Sequence, residues 1–204
     1  MQNKIEHLVD LYKRKDFQEL VKKGTEFVKE DNSSATIWNL LALGHRYLGN
    51  TEMSQKIYVS LLESNPKNFL LNSNLGNLYL AIGKLNDAIA CYEIALSEQP
   101  NHSSTLEAIG IAYQEVNREE DALNAYKKAI KVDENHQAAR FYLARILVKR
   151  QLYDEAINQF DKTDYGLSKS HQLECIYYAG DKDRFLLKYD ELIKNKKINP
   201  LMAS

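Results

Sequence analysis

The chain has 204 residues, of which 44% are hydrophobic and 27% are charged, and its formal net charge at neutral pH is −1. This composition favours a folded protein with a sizeable core over a disordered chain. Because 27 Lys and Arg residues nearly balance 28 Asp and Glu residues, nucleic-acid binding by neutralisation of phosphates is not expected. Eight glycines and three prolines are few for the tight turns of an all-β fold.

No apolar stretch reaches the roughly 18 residues that a membrane-spanning helix needs. The N-terminal segment is charged throughout and lacks the apolar core of a secretory signal. Cys91 and Cys175 lie far apart in sequence and fit reduced, buried thiols better than a disulfide framework. We therefore expect a cytoplasmic protein that does not contact a membrane.

A step of 34 residues organises the chain from its start. Successive units begin, without insertions, at Met1, Ala35, Phe69, Ser103 and Gln137. In units two to five, the twentieth position is small and the twenty-fourth is aromatic. These positions hold Ser54, Ala88, Ala122 and Ala156, and Tyr58, Tyr92, Tyr126 and Phe160. Apolar residues recur at helical spacing twice in each unit, which predicts two helices per unit.

The break between the two helices of a unit is marked by residues that accept a left-handed backbone. Gly83 occupies this place in the third unit, and Gly49 and Asn117 occupy it in the units on either side. Asn86 is predicted to cap the following helix. Because the connection is short, the helices must pack closely, with Gly76 opposite Ala88 and an aromatic ring filling the remaining space.

This pattern resembles the tetratricopeptide repeat, whose period and residue types it shares. Trp38, Leu41, Tyr79, Pro66 and Pro100 also stand at signature positions of that family. The resemblance implies an all-α fold, a right-handed superhelical solenoid of antiparallel helix pairs. We predict five repeats over residues 1–165, divided as 1–34, 35–68, 69–102, 103–136 and 137–165. Residues 166–204 are predicted to form an irregular sixth helix pair, with helices near 167–179 and 183–194, and a C-terminal tail.

In this family the first helix of each pair lines the concave face and contacts the ligand, which implies a partner-binding groove here. The corresponding residues are Asn39, Leu43, Arg46, Ser73, Asn77, Leu80, Glu107, Ile111, Gln114, Phe141, Arg145 and Lys149. Exposed apolar side chains among them would suit a peptide. The alternative is that neighbouring repeats bury these side chains. Acidic Glu107 with basic Arg145 and Lys149 would give such a groove opposite charges along its length.

No catalytic, cofactor-binding or metal-binding residues are predicted. His171 and Cys175 stand four residues apart on a predicted helix, a spacing that two metal ligands can use, but packing is the favoured interpretation. The other histidines are interpreted as scattered. Phosphate-binding loops and nucleophile motifs are lacking in the sequence.

The favoured function is therefore a protein-binding scaffold that holds a peptide or protein partner and is not an enzyme. The alternative is a recruitment module of a larger enzyme whose catalytic domain lies outside this chain. The closing segment is loosely similar to the stretch that follows the repeats in bacterial 2-oxoglutarate/iron oxygenase proteins. Homo-oligomerisation through the sixth pair or through the apolar surface of residues 58–62 is a third hypothesis, and the oligomeric state is left open.

Overall fold

The computed structural model describes residues 2–195, which form twelve α-helices packed as consecutive pairs. In chain order these are α1 Gln2–Lys13, α2 Phe17–Glu30, α3 Ala35–Tyr47, α4 Thr51–Ser64, α5 Phe69–Ala81, α6 Leu85–Glu98, α7 Ser103–Glu115, α8 Glu119–Val132, α9 Gln137–Lys149, α10 Tyr153–Asp161, α11 Ser168–Tyr178 and α12 Lys182–Lys194. The predicted all-α architecture of helix pairs is confirmed. Within the described residues, no helix is both long enough and apolar enough to cross a lipid bilayer.

The chain divides into two compact units, residues 1–100 with α1–α6 and residues 101–204 with α7–α12. Each unit contains three helix pairs. The first helices of the second to fifth pairs begin at Ala35, Phe69, Ser103 and Gln137, one 34-residue step apart.

A residue with a left-handed backbone conformation follows the first helix of each of the first five pairs. Lys15, Gly49, Gly83, Asn117 and Gln151 have φ angles of 60°, 80°, 75°, 60° and 60°, and they are spaced by 34 residues. The next residue returns a hydrogen bond to the helix, as from the Lys84 N–H to the Tyr79 carbonyl oxygen at 2.9 Å. This is the Schellman arrangement, which satisfies carbonyls that the helix end leaves open. The left-handed turn was predicted at Gly49, Gly83 and Asn117, whereas Lys15 and Gln151 were not anticipated.

The first helices share an N-cap position as well. The side chains of Ser34, Asn68, His102 and His136 accept the backbone N–H three residues later, at 3.0–3.4 Å. The interpretation of the histidines as scattered was therefore wrong for His102 and His136. These two stand one repeat apart and cap α7 and α9.

The N-cap predicted at Asn86 was also wrong. Helix α6 begins at Leu85, so Asn86 lies inside its first turn. Lys84 holds the N-cap position and makes no side-chain capping bond. The short Schellman turn leaves Lys84 as the last residue before the helix, which moves the start two residues earlier than predicted.

Close packing within a pair is set by glycine against tyrosine. A Cβ atom placed on Gly76 would lie 2.6 Å from Tyr92 Cε1, and one on Gly110 would lie 2.5 Å from Tyr126 Cε1. The tyrosine ring therefore rests on the backbone of the first helix. The prediction placed Ala88 opposite Gly76, but the atoms nearest to Gly76 belong to the Tyr92 ring. Ala88 and Ala122 are fully buried.

The sixth pair departs from this packing. Its left-handed turn residue, Gly180, follows Gln151 after 29 residues instead of 34. Helix α11 buries Leu173, Cys175 and Ile176, whereas in α12 Leu192 is the only buried residue. The helices lie within one residue of the predicted bounds. The predicted tail from residue 196 onward falls outside the described residues.

Candidate partner-binding faces

Helices α3 and α5 lie beside each other in residues 1–100, and helices α7 and α9 do so in residues 101–204. We call their outer surfaces the α3–α5 face and the α7–α9 face. The predicted groove residues divide equally between these two faces.

Part of the α3–α5 face was wrongly expected to be open. Asn39, Leu43 and Ser73 are buried. Asn39 Oδ1 accepts a hydrogen bond from Asn74 Nδ2 at 3.0 Å, which links α3 to α5. Leu43 belongs to the hydrophobic core of residues 1–100. For these side chains the alternative interpretation, burial between neighbouring repeats, is the correct one.

Three predicted residues of this face, Arg46, Asn77 and Leu80, are half-buried. The Tyr92 hydroxyl of α6 donates a hydrogen bond to Asn77 Oδ1 at 2.8 Å. This bond fixes the amide and leaves its N–H groups as the donors for a partner. Leu70 stands two helical turns before Asn77 on α5 and is 52% exposed.

An aromatic cluster with an adjacent arginine lies where α1 ends, α2 begins and α3 ends. The rings of Phe17 and Tyr47 stack with centroids 4.4 Å apart, and Tyr12 lies 6.0 Å from each. The Arg46 guanidinium is 5.3 Å from the centre of the Tyr47 ring. The neighbouring Tyr47 hydroxyl, together with burial, raises the pKa of Tyr12 to about 12. Sequence reasoning missed this cluster because Tyr12 and Phe17 belong to the first repeat, in which Leu20 and Gly24 replace the small and aromatic residues of the later repeats.

The α7–α9 face contains a half-buried acid. Glu107 Oε2 lies 3.8 Å from His136 Nε2. Burial raises the pKa of Glu107, and the nearby His136 acts in the opposite direction. Gln114 Oε1 accepts a hydrogen bond from the Tyr126 hydroxyl at 2.6 Å, the counterpart of the Tyr92–Asn77 bond. Ile111 is half-buried.

Phe141 was wrongly expected on the open face, since its side chain is only 8% exposed. Its ring centroid lies 5.5–6.0 Å from those of Tyr142, Phe160, Tyr165 and His171. The segment that joins α10 to α11 and the start of α11 therefore cover it. Arg145 remains exposed, with its guanidinium 5.9 Å from the centre of the Phe141 ring.

Lys149 was predicted as a groove residue, but it lies at the end of α9 and forms an ion pair with Glu119 of α8. Its Nζ is 2.6 Å from Glu119 Oε2, and Arg150 Nε is 2.9 Å from Glu119 Oε1. Arg150 also pairs with Glu120 at 2.6 Å. Hydrogen bonds from Lys149 and Arg150 lower the pKa of Glu119. Lys149 therefore links the end of α9 to the start of α8 through Glu119. Arg145 is the exposed cation of the α7–α9 face.

The predicted packing role of His171 and Cys175 agrees with their surroundings. Cys175 is buried, which raises the pKa of its thiol to about 11. His171 Nδ1 is 2.9 Å from Glu174 Oε2, and the ring stacks near Phe160. Among the residues that the structure describes, no three His, Cys, Asp or Glu side chains are grouped so that they could hold a metal ion.

A surface depression of about 500 Å³ lies within residues 1–100. It is lined by residues of the α3–α4 turn and the start of α4, including Asn50, Glu52 and Met53. We consider the faces the stronger candidates because they combine exposed apolar groups with polar groups held by hydrogen bonds.

Comparison with known families agrees with the fold. Residues 68–135 and residues 107–164 each match a tetratricopeptide repeat model. The anaphase-promoting complex subunit CDC16 of Saccharomyces cerevisiae is 38% identical over an alignment of 100 residues, which covers 46% of this chain. The match spans 12% of the length of that subunit.

Solved structures show the same architecture. PilF of Pseudomonas aeruginosa superimposes with a TM-score of 0.83 at 16% identity, covering 95% of this chain and 90% of PilF. A tetratricopeptide repeat protein from Parabacteroides merdae gives a TM-score of 0.72 at 19% identity, covering 98% and 80%. MamA of Desulfovibrio magneticus gives 0.69 at 17% identity, covering 79% and 91%. At these identities the likeness concerns the fold alone.

The fold and its faces define a helical repeat protein. Residues 68–164 of this chain match models of the tetratricopeptide repeat, a repeat that generally mediates protein–protein interactions. The relatives described above give no support to a link with 2-oxoglutarate/iron oxygenases.

Proposed function

We propose that this protein is a binding scaffold that holds a polypeptide partner on its first-helix faces and performs no catalysis itself. The observation that carries the proposal is on α5, where exposed Leu70 and the Tyr92-fixed amide of Asn77 share one side of the helix. An apolar contact beside a polar group that is already oriented suits a peptide, because little conformational freedom is lost on binding.

The chemistry of the two thiols makes them poor candidates for catalytic nucleophiles. Burial raises the pKa of both Cys91 and Cys175 to about 11, so these thiols stay protonated at neutral pH. A protonated, buried thiol is a poor nucleophile. The strongly shifted tyrosines, Tyr58 and Tyr126, owe their raised pKa values chiefly to burial in the core.

A photo-crosslinking experiment tests where the partner binds. A photoreactive phenylalanine analogue is placed at position 70 on α5, and at position 94 on α6 as the matched control. Leu70 and Ile94 are both exposed apolar residues of one helix pair, but they belong to the first and second helix respectively. Mass spectrometry of crosslinks formed in a lysate of the source cell should identify polypeptide adducts at position 70 and few at position 94.

Side-chain truncations then test whether the partner that the crosslink identifies binds the first helix of the pair. Asn77→Ala should weaken binding by roughly tenfold, the loss expected when a partner's hydrogen-bonding group is left unpaired in the interface. Ile94→Ala on the second helix should leave affinity unchanged. Adducts of equal yield at positions 70 and 94, or no adduct at position 70, would reject the proposal.

A further inference from the structure

Three tyrosines stand at the same repeat position, and one of them differs from the others. Tyr58, Tyr92 and Tyr126 are fully buried on the second helices α4, α6 and α8. The hydroxyls of Tyr92 and Tyr126 donate to the side-chain amides of Asn77 and Gln114. The Tyr58 hydroxyl is buried and has no hydrogen-bond partner within the described residues.

The reason lies in the facing helix α3. Leu43 stands one repeat before Asn77, and Arg46 stands two repeats before Gln114. A leucine cannot hydrogen-bond, and the guanidinium of an arginine donates but does not accept. The two positions that supply acceptors to the other tyrosines therefore supply none to Tyr58. A buried hydroxyl without an acceptor costs free energy that a suitable acceptor would recover.

Arg46 lacks a counter-charge in the same place. The guanidinium is half-buried and lies against the Tyr47 ring, and it forms no ion pair with any described residue. Arg46 has the same repeat position relative to Tyr58 that Gln114 has relative to Tyr126, and those two side chains are in direct hydrogen-bonding contact. In agreement with this placement, the Arg46 charge opposes the rise in the pKa of Tyr58 that burial causes. A hydroxyl donor without an acceptor and a cation without an anion therefore lie together at one end of the α3–α5 face.

We propose that this end of the face binds an acidic side chain, Asp or Glu, of the protein partner. One carboxylate oxygen accepts from the Arg46 guanidinium and the other from the Tyr58 hydroxyl. A single carboxylate balances the single charge of Arg46. Since the hydroxyl is covered in the structure, a rotamer change in the side chains above it accompanies binding. The inference rests on the proposed scaffold function and adds the chemistry that the partner must carry.

The neighbouring rings define what flanks the acid. Tyr47 is 49% exposed, and Tyr12 and Phe17 are half-buried beside it. Rings that stack on one another while remaining partly open offer a rigid apolar surface. The partner segment should therefore carry an apolar or aromatic residue next to its acidic residue.

Selection from random dodecapeptides displayed on phage, using the full chain as bait, tests the inference. Selected sequences are made as synthetic peptides with blocked termini, which removes terminal carboxylates as a source of binding. Peptides that carry Asp or Glu beside an apolar residue are expected. For these, Tyr58→Phe and Arg46→Gln should each weaken binding roughly tenfold, the loss expected for a hydrogen bond to a charged group.

A double-mutant cycle makes the test specific. Changing the peptide's Glu to Gln should weaken binding to the wild type and should abolish most of the additional effect of Arg46→Gln and Tyr58→Phe. Lys127→Gln, which removes an exposed cation from α8, is the control for a general charge effect and should change nothing. Melting curves of each variant verify that it is folded.

The outcomes separate the two proposals. Peptides that bind with equal affinity to wild type, Tyr58→Phe and Arg46→Gln would overturn the acidic-residue inference and leave the scaffold function standing. A selection that yields no binding peptide from the folded chain would overturn both.

Discussion

The α7–α8 and α11–α12 pairs belong to the same unit but are packed in different ways. In α7–α8, a buried alanine at position 122 and a tyrosine resting on Gly110 bring the two helices together. In α11–α12, Phe185 stands at the position of that alanine and remains half-buried. Leu187 on α12 is 75% exposed. The small residue at this position therefore lets the two helices of α7–α8 approach closely, whereas Phe185 leaves the corresponding site of α11–α12 partly open.

The largest expected effect comes from a bulky residue at the alanine position. Ala122→Trp should lower the free energy of unfolding by at least about 1–3 kcal/mol, because a fully buried side chain at a helix–helix contact has no space to grow. Phe185→Trp, at the matching position of α12, should cost less than about 0.5 kcal/mol because that site is partly open. Urea unfolding monitored by circular dichroism measures both.

Lys127→Ala on the exposed side of α8 is the control for a change that touches no packed surface. Its unfolding midpoint should match the wild type. If Ala122→Trp and Phe185→Trp shifted the midpoint equally, the distinction between the two pairs would be lost.

A smaller effect is expected from the buried tyrosine hydroxyls. Tyr92→Phe should destabilise the protein by about 0.5–1.5 kcal/mol, because it removes the hydrogen bond to Asn77. Tyr58→Phe should be neutral or stabilising, since the hydroxyl it removes has no partner within the described residues. The two substitutions delete the same atom from the same repeat position, so each is the control for the other. Equal destabilisation in thermal unfolding would show that the Tyr58 hydroxyl is satisfied.

The 34-residue step was sufficient to predict the helix pairs and their turns, because these depend on local residue types. Gly49, Gly83 and Asn117 accept a left-handed backbone, and each has positive φ. Lys15 and Gln151 adopt the same conformation without the residue type that signals it. At these two positions only the 34-residue spacing from the other turns indicates the conformation.

The candidate faces were less predictable, because exposure depends on what the next segment does. Phe141 occupies a first-helix position that family resemblance makes part of a groove. It is covered in the structure because the chain departs from the repeat after Phe160 and places Tyr165 and His171 against it. The lack of a partner for the Tyr58 hydroxyl among residues 2–195 has a signal in the sequence. Leu43 and Arg46 stand where later repeats carry Asn77 and Gln114.

The smallest effect concerns Glu107, a half-buried acid of α7. Burial raises the pKa of Glu107, so the folded chain holds this proton more tightly than the unfolded chain. Its contribution to stability is therefore complete at pH values below the pKa of the unfolded chain and is lost as pH rises through the higher folded pKa. Glu107→Gln should gain stability relative to wild type between pH 4 and pH 7, because it removes a carboxylate that ionises in a partly desolvated place. His136 lowers the pKa of Glu107 and limits the gain.

Urea unfolding midpoints at pH 4 and pH 7 measure this gain in stability, with Glu115→Gln as the control for loss of an exposed acid on the same helix. A stability difference that stays constant or reverses between the two pH values would show that interaction with His136 outweighs burial.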